Sequence, residues 1–285
     1  MATGRRRLTP YLLLFPGVFW LVVFFVVPMY YMARLSLDSG TIEKGFEFSW
    51  QWSNYHDALT LYKDPFIRAF EYAGAATIIA LLIGYPLAYA IAFKGGRWKN
   101  AMLVAVVAPF FTTYLIRTYA WQTILADQSP VTKALNAIGL APGGHVLATA
   151  GAVIAGITYN FLPFMALPLY VSLEKVDRRL IEAATDLYAS RATAFRKVTL
   201  PLAIPGLFAG SLLTFIPAMG DFINAALLGT PRQFMIGNVI QSKFLVTQDY
   251  PGAAALSFIL MAFILLAIFL YARGLGAKNL SEAAI

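Results

Sequence analysis

The chain has 285 residues, 59% of them hydrophobic and 13% charged, with a net charge of +8 and a mean hydropathy of +0.67. A soluble domain carries about 25% charged residues to wet its surface, so this composition excludes a water-soluble globule and leaves lipid to cover much of the outside. The absence of Cys excludes disulfides, thiolate metal sites and a cysteine nucleophile.

Arg5-Arg6-Arg7 followed by an apolar run has the look of a signal peptide. The uncharged stretch 8–33 is too long for a signal h-region and lacks a small-residue cleavage site, so it reads as a retained first span. A spanning helix needs roughly 20 mostly apolar residues. On that criterion the spans are 11–32, 72–93, 101–125, 146–173, 200–228 and 252–271, six in all, with Arg117 interrupting the third and Asp221 lying in the fifth. The expected fold is therefore an all-α membrane protein, residues 1–285 forming a single transmembrane domain. Between the first two spans lies a long loop, 34–71, with more acids than bases and the aromatics Phe46, Phe48, Trp50, Trp52 and Tyr55. Such clusters anchor at membrane interfaces, and contact with an external partner is the alternative.

Lys and Arg in the loops set the orientation. Both termini and the loops after spans two and four hold fourteen of the basic residues; the opposite side holds seven, and Arg117 is inside a span. Both termini are thus expected in the cytoplasm. Basic residues clustered between apolar runs suit membrane orientation and speak against nucleic-acid binding.

The loop 174–199 reads EKVDRRLIEAATDLYASRATAFRKVT. Asp177 is a good N-cap, and Leu180, Ile181, Ala184, Leu187 and Tyr188 recur at three- and four-residue spacing, as one stripe of a short amphipathic helix. Ser190 starts a second short helix, with Phe195 and Val198 on its inner face, and Leu200-Pro201 opens the fifth span with proline in the first turn. On these residues alone the hairpin either docks a partner or lies on lipid headgroups, held by its basic face.

Glu182-Ala183-Ala184, followed at the right distance by Val198-Thr199-Leu200-Pro201, resembles the EAA loop of type I ABC importer permeases. The resemblance implies six transmembrane helices, with a cytoplasmic coupling loop between helices 4 and 5 that docks in a cleft of an ATPase. Glu182, Ala183, Ala184, Asp186, Leu187 and Tyr188 would form that surface. The family places glycine where this chain has Tyr188, so either the turn moves to Ala189-Ser190 or Tyr188 accepts a left-handed conformation at roughly 1–2 kcal/mol. Residues 109–121 (PFFTTYLIRTYAW), Gly220-Asp221-Phe222 and Leu227-Leu228-Gly229 are similar to the spermidine/putrescine branch. Permeases for iron, thiamine, phosphonate or opines share the same framework.

Arg117 and Asp221 are charges inside the membrane, where burial costs several kcal/mol unless the group is paired or wet. Counted along a straight helix, Arg117 lies roughly 27 Å above Lys99 and Asp221 roughly 36 Å above Lys197. They read as a structural ion pair between spans three and five, or as Asp221 facing a wet cavity that receives a cation. Phe110, Phe111, Tyr114, Trp121 and Phe222 are candidates for the same path, because an aromatic face attracts a cation by roughly 0.5–2 kcal/mol. Asn160 and Asn224 are further polar candidates. Gly206 and Gly210 have the spacing that lets helices approach closely.

The sequence has no G-x-x-x-x-G-K-[ST] phosphate loop, so ATP and magnesium are expected on a separate subunit, with no cofactor or metal on this chain. The resemblance implies a second, similar permease chain in a heterodimer, two cytoplasmic ATPase subunits and an extracytoplasmic substrate-binding protein. It also implies a place in a bacterial inner membrane. An intramembrane enzyme lacks converging catalytic groups, since His56 and His145 fall outside the spans. A secondary transporter lacks clear internal repeats and coupling charges.

Overall fold

The computed structural model describes residues 3–139 and 141–274, with side chains from residue 12 onward apart from Pro142; Lys278, counted above, lies outside them. Its contacts divide the chain into two units, one running to Lys63 and including Ile240–Ile259, the other comprising Asp64–Val239 and the chain from Leu260.

In the first unit, α1 (Thr3–Leu21) continues through a π-helical turn, Val22–Val26, into α2 (Val27–Leu35). The stretch Leu12–Leu35 is apolar on every side, and none of its most apolar window is buried. A helix hydrophobic all round belongs in lipid or against another chain. Next, β1 (Asp38–Thr41) and β2 (Gly45–Phe48) form an antiparallel hairpin with Asp38 opposite Phe48 and Thr41 opposite Gly45. Gly40 is required there: at φ +121 an added Cβ would sit 2.1 Å from the Gly45 carbonyl oxygen. The helix α3 (Ser53–Leu61) is tied to the hairpin by Asn54, which donates to the carbonyls of Ser36 (3.0 Å) and Asp38 (3.1 Å).

The second unit begins in α4 (Lys63–Tyr89), extended by a π-helical turn, Ala90–Lys94. The connection 34–71 is largely ordered. It holds a hairpin, a helix and the charged first turns of α4, because a helix propagates past its apolar core wherever its backbone bonds are satisfied. After α4 come α5 (Lys99–Val107), a 3-10 turn Ala108–Phe111, and α6 (Tyr114–Ile124). The expected span over 101–125 is not one straight helix, since the chain bends by 94° between Phe111 and Tyr114. Pro109 removes an amide donor, and Thr112 and Thr113 are extended (ψ 141 and 149).

Then follow α7 (Pro130–Ala137) and α8 (Ala150–Glu174), each started by a side-chain N-cap, Ser129 and Thr149. Two short helices, α9 (Arg178–Asp186) and α10 (Arg191–Ala194), lead into α11 (Leu200–Met219). The fifth expected span is broken too, because α11 ends at Met219 and α12 (Ile223–Leu228) starts after Gly220-Asp221-Phe222. The chain closes with α13 (Ile236–Leu245) and α14 (Tyr250–Gly274). Five helices are long and apolar enough to cross a membrane, and the bent α5–α6 pair makes a sixth candidate.

The core of this unit is the α8–α11 contact. Ala80, Ala88 and Ala92 of the α4 segment pack with Met165, Leu169, Leu173 and Ala203. Gly206 and Gly210 do permit close approach, since an added Cβ would lie 2.5 Å from the Pro168 oxygen and 2.9 Å from the Met165 oxygen respectively. Small residues at such spacing let backbones touch where lipid offers no hydrophobic drive.

Candidate functional site

The break after α11 is built from a few specific residues. Pro217 and Gly220 weaken the helix, and Gly237 of α13 comes so close that a Cβ would be 2.4 Å from the Gly220 oxygen. Asn238 donates to the Phe222 carbonyl at 2.7 Å, holding the non-helical turn. Asp221 then restarts the helix, its Oδ1 accepting from the Asn224 backbone N–H at 2.8 Å, as a capping carboxylate does.

The other carboxylate oxygen is engaged as well. Oδ2 accepts from the Tyr114 hydroxyl of α6 and from Asn224 Nδ2 (2.9 Å). The Asn224 amide also donates to the Tyr114 hydroxyl (2.6 Å), and its oxygen accepts from Asn160 of α8 at 3.3 Å. Asn160 reaches Thr118 Oγ1 at 3.4 Å. One polar network therefore joins α6, α8 and α12. Asp221 is 7% exposed and Asn224, Asn160 and Thr118 are buried, in an apolar setting where an unmade hydrogen bond is expensive.

The ion-pair reading of Arg117 and Asp221 is not realised, since no salt bridge joins them among the described residues. The 94° bend at Phe111–Tyr114 and the break at Gly220–Phe222 invalidate heights counted along straight helices. Tyr114 stands between the two charges. Its hydroxyl serves Asp221, and its ring lies 5.6 Å from the Arg117 guanidinium carbon, which is also 4.9 Å from the Phe110 ring. Arg117 is buried, with Nε and Nη1 unpartnered, so ring faces are what hold its charge.

The remaining aromatic candidates separate. Phe110 packs edge-on against Phe164, and Trp121 against Tyr159, whereas Phe111 is 88% exposed and Phe222 is also exposed. Gly237 and Asn238 had no signal in hydropathy or motif, and Thr118 stood unmarked within the segment 109–121, because their roles come from contacts between helices distant in sequence.

Between α8 and α11 the chain forms a capped helix–turn–helix. Asp177 accepts from the Arg179 N–H at 2.9 Å and Ser190 from the Thr193 N–H at 3.2 Å. Between them α9 ends in a Schellman motif, with Ala189 N–H bonding Ala184 O (3.0 Å) and Tyr188 N–H bonding Thr185 O (3.0 Å). Of the two conformations open to the turn, the chain adopts the strained one: Tyr188 has φ +59. Glu182, Ala183, Asp186, Leu187 and Tyr188 are all exposed, and Ala184 is half-buried.

Two contacts not evident in the sequence position this segment. Arg178 donates to the carbonyls of Ala92 (3.3 Å) and Phe93 (3.0 Å) at the end of the α4 segment, and Lys99 pairs with Glu174 where α8 ends. A guanidinium on the final carbonyls of a helix satisfies orphan acceptors and complements the helix dipole. Arg178 was legible as a basic loop residue, but not as a helix cap.

The sequence matches the family of binding-protein-dependent transport system inner membrane components over residues 3–273. The chain belongs to this family. This permease is 38% identical over 256 residues, 89% of its own length and 90% of the relative's, to the spermidine/putrescine transport system permease protein PotB of Haemophilus influenzae. It is 35% identical to the protein of the same description from Escherichia coli K12, over 85% of this chain and 88% of that one. In fold it resembles a bacterial alginate ABC transporter solved in complex with an alginate pentasaccharide-bound periplasmic protein, at a TM-score of 0.68 and 19% identity, covering 97% and 96% of the two chains. The permease is thus an inner membrane component of an ABC importer.

Proposed function

We propose that this permease forms half of the translocation path of a polyamine importer, carrying spermidine or putrescine. Its similarity, over most of its length, to permeases described as spermidine/putrescine proteins carries this reading. In it, residues 1–285 form one domain that crosses the membrane six times, the bent α5–α6 pair counting as one crossing, with both termini in the cytoplasm. A second, similar permease completes the path, an extracytoplasmic binding protein delivers the cargo, and two cytoplasmic ATPase subunits hold ATP and magnesium. This chain performs no hydrolysis of its own.

The coupling surface is Glu182, Ala183, Ala184, Asp186, Leu187 and Tyr188. Closure of the ATPases draws these segments together. Arg178, bonded to the end of the α4 segment, transmits that displacement to the second span. In the path, Asp221 is the group that meets the cation. An ammonium arriving there takes the place of the Tyr114 hydroxyl at Oδ2, while Asn224 and Asn160 retain the geometry of the turn. Phe111 and Phe222, both exposed, offer ring faces on the approach, and Phe110, Tyr114 and Trp121 line the same stretch. Arg117 keeps like charge from settling away from Asp221.

The test is uptake of labelled spermidine by the complete importer in proteoliposomes, with binding protein and ATP. Uptake that needs both, and that falls about tenfold or more in Asp221→Asn, is the expected result; loss of one favourable charge contact of about 1.4 kcal/mol gives that factor. Absence of spermidine and putrescine uptake from a complex that hydrolyses ATP in response to its binding protein moves the cargo to another small solute.

A further inference from the structure

We infer that the end of α2 and the β1–β2 hairpin together bind the headgroup of a zwitterionic phospholipid, with its phosphate on Arg34. A recess of about 530 Å³ opens there, lined by Tyr30, Ala33, Arg34, Leu37, Phe48 and Trp50. Tyr30, Ala33 and Arg34 share one face of α2, at i, i+3 and i+4. Phe48 ends β2, and Trp50 stands two residues beyond it. Backbone contacts build this aromatic wall. The Gln51 N–H bonds the Leu37 carbonyl at 2.8 Å, bringing the end of the hairpin back to the helix. Trp50 takes φ +52, a conformation in which a bulky residue is an outlier. Its ring lies edge-on to Phe48 with centroids 4.9 Å apart, and both it and Tyr30 are exposed.

Depth and charge choose the occupant. Tyr30 lies within the uncharged stretch 8–33, and Arg34 is the first charge after it. The recess therefore crosses the level where hydrocarbon gives way to headgroups, the depth favoured by tyrosine, tryptophan and snorkelling arginine. Its lower wall continues a helix whose most apolar window is nowhere buried, whereas a protein in water reaches only the upper wall. The Arg34 guanidinium carbon is 6.0 Å from the Phe48 ring, and among the described residues no ion pair involves it. A phosphate diester meets that guanidinium with two parallel charge-assisted bonds. The surroundings select the rest of the headgroup. Residues 34–61 hold Asp38, Glu43, Glu47 and Asp57 against Arg34 and Lys44. Asp38, opposite Phe48, is buried, and Glu47 alternates to the other face of the hairpin. This balance repels a headgroup of net negative charge. A zwitterion fits, because its ammonium meets carboxylates and ring faces while its phosphate stays on Arg34.

The experiment titrates the permease, together with the other subunits of its importer, in detergent with phosphatidylethanolamine, phosphatidylglycerol or diacylglycerol, and counts bound lipid by native mass spectrometry. Phosphatidylethanolamine is expected to bind more tightly than phosphatidylglycerol, and diacylglycerol, which lacks the phosphate, is expected to leave the site empty. Arg34→Gln should weaken phosphatidylethanolamine binding about tenfold or more. Arg34→Lys should weaken it less, since it keeps the charge and loses the fork, and Lys44→Gln, at the hairpin tip, should leave it unchanged. Copurification of the other subunits with each variant shows that it has folded. Unchanged binding by Arg34→Gln, or phosphatidylglycerol bound as tightly as phosphatidylethanolamine, overturns the inference. A photoreactive benzoylphenylalanine in place of Tyr30, in vesicles of the two phospholipids, separates the occupants. An adduct with phosphatidylethanolamine supports the inference, and an adduct with another subunit or with the binding protein overturns it.

Discussion

Two departures from regular helix, the Gly220–Phe222 break and the Tyr188 corner, handle their irregular backbone in opposite ways. At the break both Asp221 carboxylate oxygens and the Phe222 carbonyl find partners: Asp221 caps Asn224, Asn238 takes the Phe222 carbonyl, and Tyr114 and Asn224 satisfy the second carboxylate oxygen. At the corner the backbone is hydrogen-bonded but left-handed at Tyr188, whose side chain is wholly exposed. Among apolar helices an unmet polar group costs about 1–3 kcal/mol, so irregular backbone survives where neighbouring side chains take up the groups it frees. In water that constraint lapses, and a strained residue can be kept for what it touches outside the chain.

The largest expected effect is therefore at the break. Asp221→Ala strands the Tyr114 hydroxyl and the Asn224 amide and should cost about 3 kcal/mol or more, seen as a large fall in the detergent unfolding midpoint. Asp221→Asn keeps the shape and should cost distinctly less; equal losses would show that the break does not depend on this network. Next comes Gly206→Val, whose side chain would be driven into the Pro168 carbonyl and Ser172. Overpacking of this kind should cost about 2–3 kcal/mol, and an unaltered midpoint would mean that α8 and α11 can separate freely.

Arg178→Ala should cost about 1 kcal/mol at most in stability, because its bonds are partly exposed. It should nevertheless raise amide exchange in α9 and lower transport more than ATP hydrolysis; unchanged exchange would show that the cap does not position the helix. The smallest effect has the opposite sign. Tyr188→Gly should stabilise the isolated permease by about 1 kcal/mol or less by releasing the left-handed strain. A destabilised glycine variant would show that the corner is held by contacts of the tyrosine ring, and the contrast with the break would disappear.

Membrane character, the location of most spans and the capped corner were legible in the residues because each depends on local chemistry. Scarce charge requires lipid, twenty apolar residues make a crossing, and Asp177 and Ser190 reach amides two or three residues ahead. Even the choice facing Tyr188 was visible, though not its outcome. The bend at Pro109–Thr113, the break at Asp221 and the separation of Arg117 from Asp221 were decided only in three dimensions. Hydropathy averages over a window in which Gly220-Asp221-Phe222 is three residues among many apolar ones. Whether that turn opens depends on Gly237, Asn238, Tyr114 and Asn160 arriving from other helices to satisfy what the helix gives up, and no local pattern encodes their arrival.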